Sequence, residues 1–422
     1  MTYVRGANCE VILEMVVMPK LVCSRPLLQL ALGFSLLTSN AGAQDASSEE
    51  STSWLEPAIA IELRHNDNIF LSATDAQTSL ITMLSPGLLA HFASSTHRFE
   101  LEYNGEIAAY TDSSADNYDD HEFRAAGYLS FTWRSQLDLI GRYEDAHESR
   151  GTGLSEGCGP DCDLLLEEPD QYRRPQILGR FTYGATGTRG RLVFEAGQRK
   201  LDYTNHEERT VFFDHDHRYG GAAFYVRIMP NTSLLLDVRA TEIEYAQDRP
   251  LQASLNSTEY RYLLGATWDI TGKTKGTVKF GYVEKNYADD SRGKFSEPSW
   301  EVDIRWSPRS YSHFDLTTSR YPSEVTSLTG DVIDNTTYSL AWSHDWSERV
   351  MTRLATSYTD QEFQGSEAAR LQKLREHGVT LAYAMRRWLT WEFGVAVSSR
   401  DSNIDQFDFD GTIIRLGAKL TL

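Results

Sequence analysis

From about Trp54 to its last residue the chain alternates apolar and polar side chains in runs of roughly 10–14 residues, separated by breaks that are alternately very short and rather long. A period of two sends successive side chains to opposite faces of a strand, so every run has one apolar and one polar face. Short turns alternating with long loops then describe an antiparallel barrel with lipid outside and a polar interior. The final run shows the pattern most plainly. Ile414, Leu416, Ala418, Leu420 and Leu422 share one face, and Arg415, Gly417, Lys419 and Thr421 share the other.

A helical membrane protein is excluded. Mean hydropathy is −0.43, charged residues make up 24% of the 422, and no apolar run after residue 40 approaches the membrane-helix length of roughly 18–20 residues. Apart from a short polar run around Ala368–Glu376, no stretch carries apolar residues at helical spacing. The expected fold is therefore all-β, a transmembrane antiparallel barrel over residues 54–422 of about 18 strands (16–18), with both termini periplasmic. The net charge of −19 argues against a nucleic-acid partner and suits a cell-surface protein with acidic outer loops.

Lys20 and Arg25 precede the short apolar stretch Leu27–Leu37, and Ala41-Gly42-Ala43 before Gln44 offers a small-x-small cleavage site. Residues 1–43 are expected to be a cleaved secretory signal peptide, with Met18 the more conventional start and residues 44–53 a short flexible segment. Two of the four cysteines fall in this leader region. Cys158 and Cys162, in Gly157-Cys158-Gly159-Pro160-Asp161-Cys162, are expected to form a local disulfide in the longest outer loop; a metal or redox site would need more ligands than Asp161 and Asp163 supply.

Short turns are expected near Ser94–Thr96, Arg134–Gln136, Thr186–Arg189, Pro230–Thr232, Thr271–Thr274, Pro308–Ser310, Ser347–Glu348 and Arg386–Arg387, facing the periplasm. Longer, acidic breaks lie near 66–77, 111–118, 147–172, 204–215, 246–256, 288–296, 322–334, 361–372 and 401–410 and are expected to face outward. Trp133, Trp268, Trp306, Trp346 and Trp388 stand beside the turns, and Tyr110, Tyr203, Tyr245, Tyr287, Tyr321 and Tyr358 stand near the loop ends of strands. These are expected to be two interfacial aromatic rings.

Alternation assigns the lumen Glu100, Glu102, Glu106, Asp138, Arg142, Glu144, Glu195, Arg199, Asp237, Arg239, Glu301, Asp303, Arg305, Arg353, Glu392, Arg400, Arg415 and Lys419. Leu137/Leu139, Leu192/Phe194, Leu234/Leu236/Val238, Trp300/Val302/Ile304 and Trp391/Phe393/Val395 are assigned to lipid. Charges at membrane depth require water or partners around them, so either they line a conducting path or they pair with one another along the wall.

In the first third of the barrel stand His65-Asn66-Asp67-Asn68-Ile69-Phe70, Leu84-Ser85-Pro86-Gly87-Leu88, Tyr103-Asn104-Gly105-Glu106 and Asp116-Asn117-Tyr118-Asp119-Asp120-His121. With these motifs the chain resembles the putative β-barrel porin type 2 family. The resemblance implies a bacterial outer-membrane protein, often associated with exopolysaccharide or capsule production, and supplies no catalytic residues.

Asp214-His215-Asp216-His217 is the densest group of ligand-type residues. On a strand its carboxylates and imidazoles would face opposite ways, so a solvated strand start is expected, with a weak surface metal site as the alternative. His121, His147, His206 and His377 lie near carboxylates without a local motif of barrel enzymes, so no enzyme, catalytic residue, metal or cofactor is expected. Asn66-Asp67-Asn68 and Asp116–Asp120 read as turn formers; they could also bind ions bridging lipopolysaccharide or, with Tyr110 and Tyr118, line a sugar entrance. Two function classes remain. One is a porin-like channel or conduit for polysaccharide or another polar solute; the other is a docking barrel that recruits partners such as export machinery and conducts little.

Overall fold

The computed structural model describes residues 54–157, 167–185, 187–270, 272–325, 330–365 and 369–421. Residues 1–43, expected to be a signal peptide, and Cys158 and Cys162, expected to pair, lie outside the described residues. Eighteen strands follow one another: β1 (Leu55–Asn66), β2 (Ser79–Ala93), β3 (His97–Tyr110), β4 (Tyr118–Thr132), β5 (Ser135–Glu148) and β6 (Asp170–Tyr183). Next come β7 (Gly190–Tyr203), β8 (His215–Met229), β9 (Thr232–Tyr245), β10 (Ser257–Ile270), β11 (Thr274–Tyr287) and β12 (Phe295–Arg309). The last six are β13 (Ser312–Ser323), β14 (Val332–Ser347), β15 (Val350–Gln364), β16 (Arg370–Arg386), β17 (Leu389–Ser402) and β18 (Phe409–Thr421).

Each strand pairs antiparallel with its sequence neighbours, and β1 pairs with β18 from Ala58↔Thr421 to Asn66↔Ile413, so the sheet closes without an edge. A closed sheet satisfies every strand's backbone internally, which a lipid environment demands. Period-two chemistry sets the faces: β16 alternates buried and exposed positions along Arg370–Tyr383, and exposed Leu234, Leu236, Leu264, Phe280, Phe393 and Leu416 cover the outer surface. The polar run around Ala368–Glu376 is not helical. Its described part is Ala369 followed by Arg370–Glu376, which opens β16 with Arg370, Gln372, Leu374 and Glu376 buried on one face and Leu371, Lys373 and Arg375 exposed on the other.

Long loops and short turns alternate as the sequence implies; the turns after β12, β14 and β16 sit one or two residues later than expected, and the turn after β4 sits one or two residues earlier. The strands leading into the turns after β4, β8, β12, β14 and β16 each carry a register shift in their last residues, at Ser130/Thr132, Arg227/Met229, Trp306/Arg309, Asp345/Ser347 and Ala384/Arg386. A bulge absorbs an extra residue and tightens the twist at the strand's end; it accompanies the three later turns, but β4 and β8 carry one without moving their turns later.

Among the described residues the loops add one α-helical turn, α1 (Glu207–Thr210), and short 3₁₀ turns at Ser114–Asp116, Gly153–Ser155 and Asp405–Phe407. The hydrophobic clusters sit at the loop end of the barrel. One joins Ala146, Leu154, Tyr172, Leu201, Tyr203 and Phe213; another joins Ile243, Tyr245, Leu255, Val325, Ile333 and Phe363.

Candidate functional site

The inner face is built from charges that alternate with the exposed apolar set. In β3 exposed Phe99, Leu101 and Ile107 leave Glu100, Glu102 and Glu106 on the other face; in β5 exposed Leu139 and Tyr143 leave Asp138, Arg142 and Glu144 there. The same phase places Glu195 and Arg199, Asp237 and Arg239, Glu301, Asp303 and Arg305, Arg353, Glu392 and Arg400, and Arg415 and Lys419 opposite the exposed side chains of their strands.

Along β3–β12 these groups form ion pairs. Arg124 meets Glu100 at 3.1 Å, Arg142 meets Glu122 at 3.1 Å, and Arg174 donates from Nε to Glu144 at 2.8 Å. Arg180 and Arg239 share Glu195 at 2.6 and 3.0 Å; Lys279 bridges Asp237 and Glu301 at 2.8 and 3.1 Å; Arg261 reaches Glu301 at 2.7 Å; and Arg305 meets Asp315 at 2.5 Å. Arg239 of β9 crosses β8 to reach Glu195 of β7, and the residue beneath it is Gly221, in register with both. A Cβ there would come 2.9 Å from the Val238 carbonyl oxygen. On β14–β18 hydroxyls stand where an opposite charge would: Arg353 donates to Ser343 at 3.2 Å, Ser357 to Glu376 at 3.0 Å, and Arg415 to Thr380 at 3.0 Å.

The loop end is narrowed by two loops that turn inward. The first, described over residues 149–157, is fixed near its base by Arg150, whose guanidinium donates to Asp116 at 2.8 and 2.6 Å and lies 4.7 Å from the Phe70 ring. It then crosses the mouth, where Glu156 meets Arg370 of β16 at 2.6 Å and Arg400 of β17. β4, β3, β2, β1 and β18 lie between β5 and β17 on that arc. Burial by itself pushes the Glu156 carboxyl up, but Arg400 and then Arg370, with hydrogen bonds from Arg370 and Gln372, hold it below the ordinary carboxylate range.

The second loop, described at residues 324–325 and 330–331, presents Glu324 to Lys285 and to the Tyr245 hydroxyl, which donates at 2.5 Å. Lys285 is fully buried. Burial would raise the Glu324 carboxyl, yet Lys285, followed by His215 and the hydrogen bonds from Lys285 and Tyr245, keeps it low. Arg249 adds a bond to the Gly330 carbonyl oxygen at 3.2 Å while lying 4.9 Å from the Phe213 ring, which joins three loops.

Several expectations are corrected at this end. Tyr203 and Tyr245 are buried in the loop-end clusters, Tyr287 packs on one of them, and Tyr110 packs on Ile69, Phe70 and Tyr118. They do not form a lipid-facing ring, because their positions in the alternation point inward; Tyr321 shares that inner phase, and Tyr358 is the one of the six in phase with the exposed side chains, 6.4 Å from Tyr338. At the turn end Trp133, Trp306, Trp346 and Trp388 are exposed and Trp268 is half-buried, with Trp306, Phe314, Trp342, His344 and Trp346 in a chain of ring contacts from 4.3 to 6.3 Å.

His215 and His217 do not start a solvated strand. Both imidazoles are buried on the inner face with ring centroids 4.7 Å apart, and Arg199 approaches His217 at 3.1 Å. Asp214 is held by the Tyr203 N–H at 2.8 Å, and burial pushes it up to about 6. Among the described residues no three His, Cys, Asp or Glu groups are arranged to hold a metal.

The Asn66–Asn68 motif clasps the seam. Asn66 Oδ1 accepts the Asn68 N–H at 3.0 Å, Asn68 Nδ2 donates to the Asp410 carbonyl oxygen at 2.9 Å, and Asp67 Oδ1 accepts the Thr412 N–H at 2.6 Å. The first loop is thereby tied to the last strand. In the second motif Asp116 is engaged by Arg150 and the Tyr118 hydroxyl donates to Glu106 at 2.5 Å.

The family described as "Putative beta-barrel porin 2" matches residues 53–422. The chain belongs to this porin family. It is a porin-like barrel of the outer membrane. Among solved structures it is similar to OccK2 (OpdF) of Pseudomonas aeruginosa, with a TM-score of 0.50 and 12% identity over 87% of this chain and 98% of that one. It is also similar to OccK2 in complex with glucuronate (TM-score 0.49, 12% identity, 87% and 98% covered) and to OpdK of the same organism with vanillate (0.48, 12%, 87% and 99%). At this identity the likeness is one of fold alone. No protein of curated function matches the sequence.

Arg370, Gln372, Lys285, Glu156 and Glu324 are functional candidates absent from the sequence reading. The first three obey the period-two rule and could have been found by extending it to every strand. The two glutamates sit in aperiodic loops and carry no such signal.

Proposed function

We propose that the protein is a diffusion channel for polar solutes, with its long loops at the cell surface and its short turns in the periplasm. The observation that carries this reading is the closed wall itself: apolar on its outer side, lined inside by charged residues that only an aqueous lumen or mutual pairing sustains. The orientation is supported by the outer face near the loops, where Arg218 lies 3.1 Å from Glu244 and 3.8 Å from Glu242, and Arg173 lies 3.2 Å from Asp145. Such a charged collar above the apolar band suits lipopolysaccharide headgroups. The leader residues 1–43 are read as the cleaved signal peptide that delivers the chain, and Cys158–Cys162 as a loop disulfide. A link to exopolysaccharide or capsule production rests on the family resemblance, with a solute of that chemistry or its export machinery as the partner.

Planar-bilayer recording tests the proposal. Folded protein is expected to give discrete conductance steps with a mild cation preference from its excess of acids. Arg142, whose side chain keeps 44% of its exposure, faces water, so Arg142→Gln should shift the reversal potential further toward cations. Arg199 and Arg239 are enclosed, so neutralising them should act more on stability than on selectivity. No steps above background from heat-modifiable, folded protein would favour the docking barrel instead.

A further inference from the structure

We propose that the paired guanidinium groups of Arg370 and Arg400 are a binding site for the carboxylate of a permeating acidic sugar, occupied in this state by Glu156 of the chain's own loop. The inference rests on the channel reading above, since it names the solute class and the group that closes the path to it.

Two cations are packed side by side at the mouth with very little exposure, 3% for Arg370 and 4% for Arg400. Buried like charges are sustained only with an anion between them. The wall supplies neutral acceptors: Gln372 Oε1 takes Arg370 Nε and Nη2 at 2.9 and 2.6 Å, and the Phe407 carbonyl oxygen takes Arg400 Nε. The anion comes from elsewhere. Glu156 places one carboxylate oxygen on each guanidinium, the geometry in which arginine binds a free carboxylate.

The pocket is shaped around that carboxylate. Phe407 lies 3.6 Å and Phe363 4.2 Å from the Arg370 guanidinium, and Phe409 lies 4.8 Å from that of Arg400. These rings fix the planes of the two forks. Gly157, at φ +76°, lets the loop lie on Phe407, where a Cβ would come within 2.3 Å of the ring.

A second observation points to a ligand larger than a lone carboxylate. Arg370 Nη1 and Arg400 Nη2 are buried and have no hydrogen-bond partner among the described residues. A buried donor left without an acceptor costs about 1–3 kcal/mol. Glu156 has two oxygens and both are used. A sugar carboxylate flanked by a ring oxygen and a hydroxyl offers further acceptors beside the carboxylate, so a hexuronate can satisfy what Glu156 leaves unmet. Its arrival displaces Glu156 and frees the loop that crosses the mouth. The tethered carboxylate competes at an effective concentration on the order of millimolar, so the intact chain responds only to abundant solute.

The test uses galacturonate, with galactose as the neutral sugar and sulfate as a simple anion, against the purified full chain. Binding is measured by calorimetry and block of current in planar bilayers, for wild type, E156A and E156A/R370Q/R400Q, each with a heat-modifiable band as evidence of folding. Removing the tethered competitor should tighten galacturonate binding at least about tenfold, galactose should not bind, and the triple variant should lose binding. E156A/R370K keeps the charge without the planar fork, so weaker binding there supports the site even where the triple variant fails to fold. Equal galacturonate affinity in wild type and E156A overturns the proposal, as does binding retained without both arginines. Sulfate binding as tightly as galacturonate overturns the acidic-sugar assignment. Tightened binding in E156A with no conductance in any variant would leave the site standing and remove the channel reading.

Discussion

Lys285 shows what a single residue contributes at the mouth. Its ammonium is fully enclosed, and Glu324 lies against it, with the Tyr245 hydroxyl, His215 and Glu259 facing the same carboxylate from β9, β8 and β10. Removing one partner of such a pair leaves an uncompensated buried charge, at a cost of about 3–5 kcal/mol, whereas replacing both with apolar groups is close to neutral. Glu324→Ala is therefore expected to lower the temperature at which the folded band is lost on gels and to raise protease cleavage beside residue 324. K285M/E324L should restore most of both. Acid should mimic the single substitution. The carboxyl is held below the ordinary glutamate value of 4.5, so its contribution is present above that pH and is lost as pH falls below it through the folded value. A Glu324→Ala barrel as stable as wild type, or one equally sensitive to acid, would contradict the latch.

At the scale of elements, period two determined nearly everything that the sequence could reveal. It gave the strand number, the loops and turns, and the phase of the wall charges, because one face meets lipid and the other meets water. It failed where the period breaks. The turns after the bulged ends of β12, β14 and β16 sit later than expected, and sorting tyrosines by strand end without following their phase put Tyr203 and Tyr245 on the wrong face. Glycines carry a further signal that alternation does not show: Gly221 sits beneath Arg239 so that its side chain can cross β8 to Glu195. Gly221→Val should block that crossing and press on the Val238 carbonyl, an overpacking cost of about 1–3 kcal/mol, read as a lower unfolding temperature of the heat-modifiable band. Gly293, with open space around it, is the control, and Gly293→Ala should leave that temperature unchanged. Equal effects of the two would sink the crossing argument.

For the molecule as a whole, the barrel was legible and its closure was not. The loops after β5 and β13 have no periodicity, and the inward course of their described residues 149–157 and 324–325 depends on contacts such as Glu156 with Arg370 and Arg400, between residues more than two hundred positions apart in the sequence. The seam motif Asn66–Asn68 was recognisable as a family pattern and as a turn, but its bonds to Asp410 and Thr412 follow only from closure of β1 on β18. What makes the rest of the account hold is that one wall separates two solvents. The direct measurement is cysteine accessibility along β12 in a background with Cys158 and Cys162 replaced by serine: single cysteines at Trp300, Glu301, Val302, Asp303 and Ile304, in protein reconstituted in liposomes, are treated with a membrane-impermeant thiol reagent. Reaction at 301 and 303 with protection at 300, 302 and 304 is the predicted result; uniform reactivity, or reaction at the even positions, would contradict it.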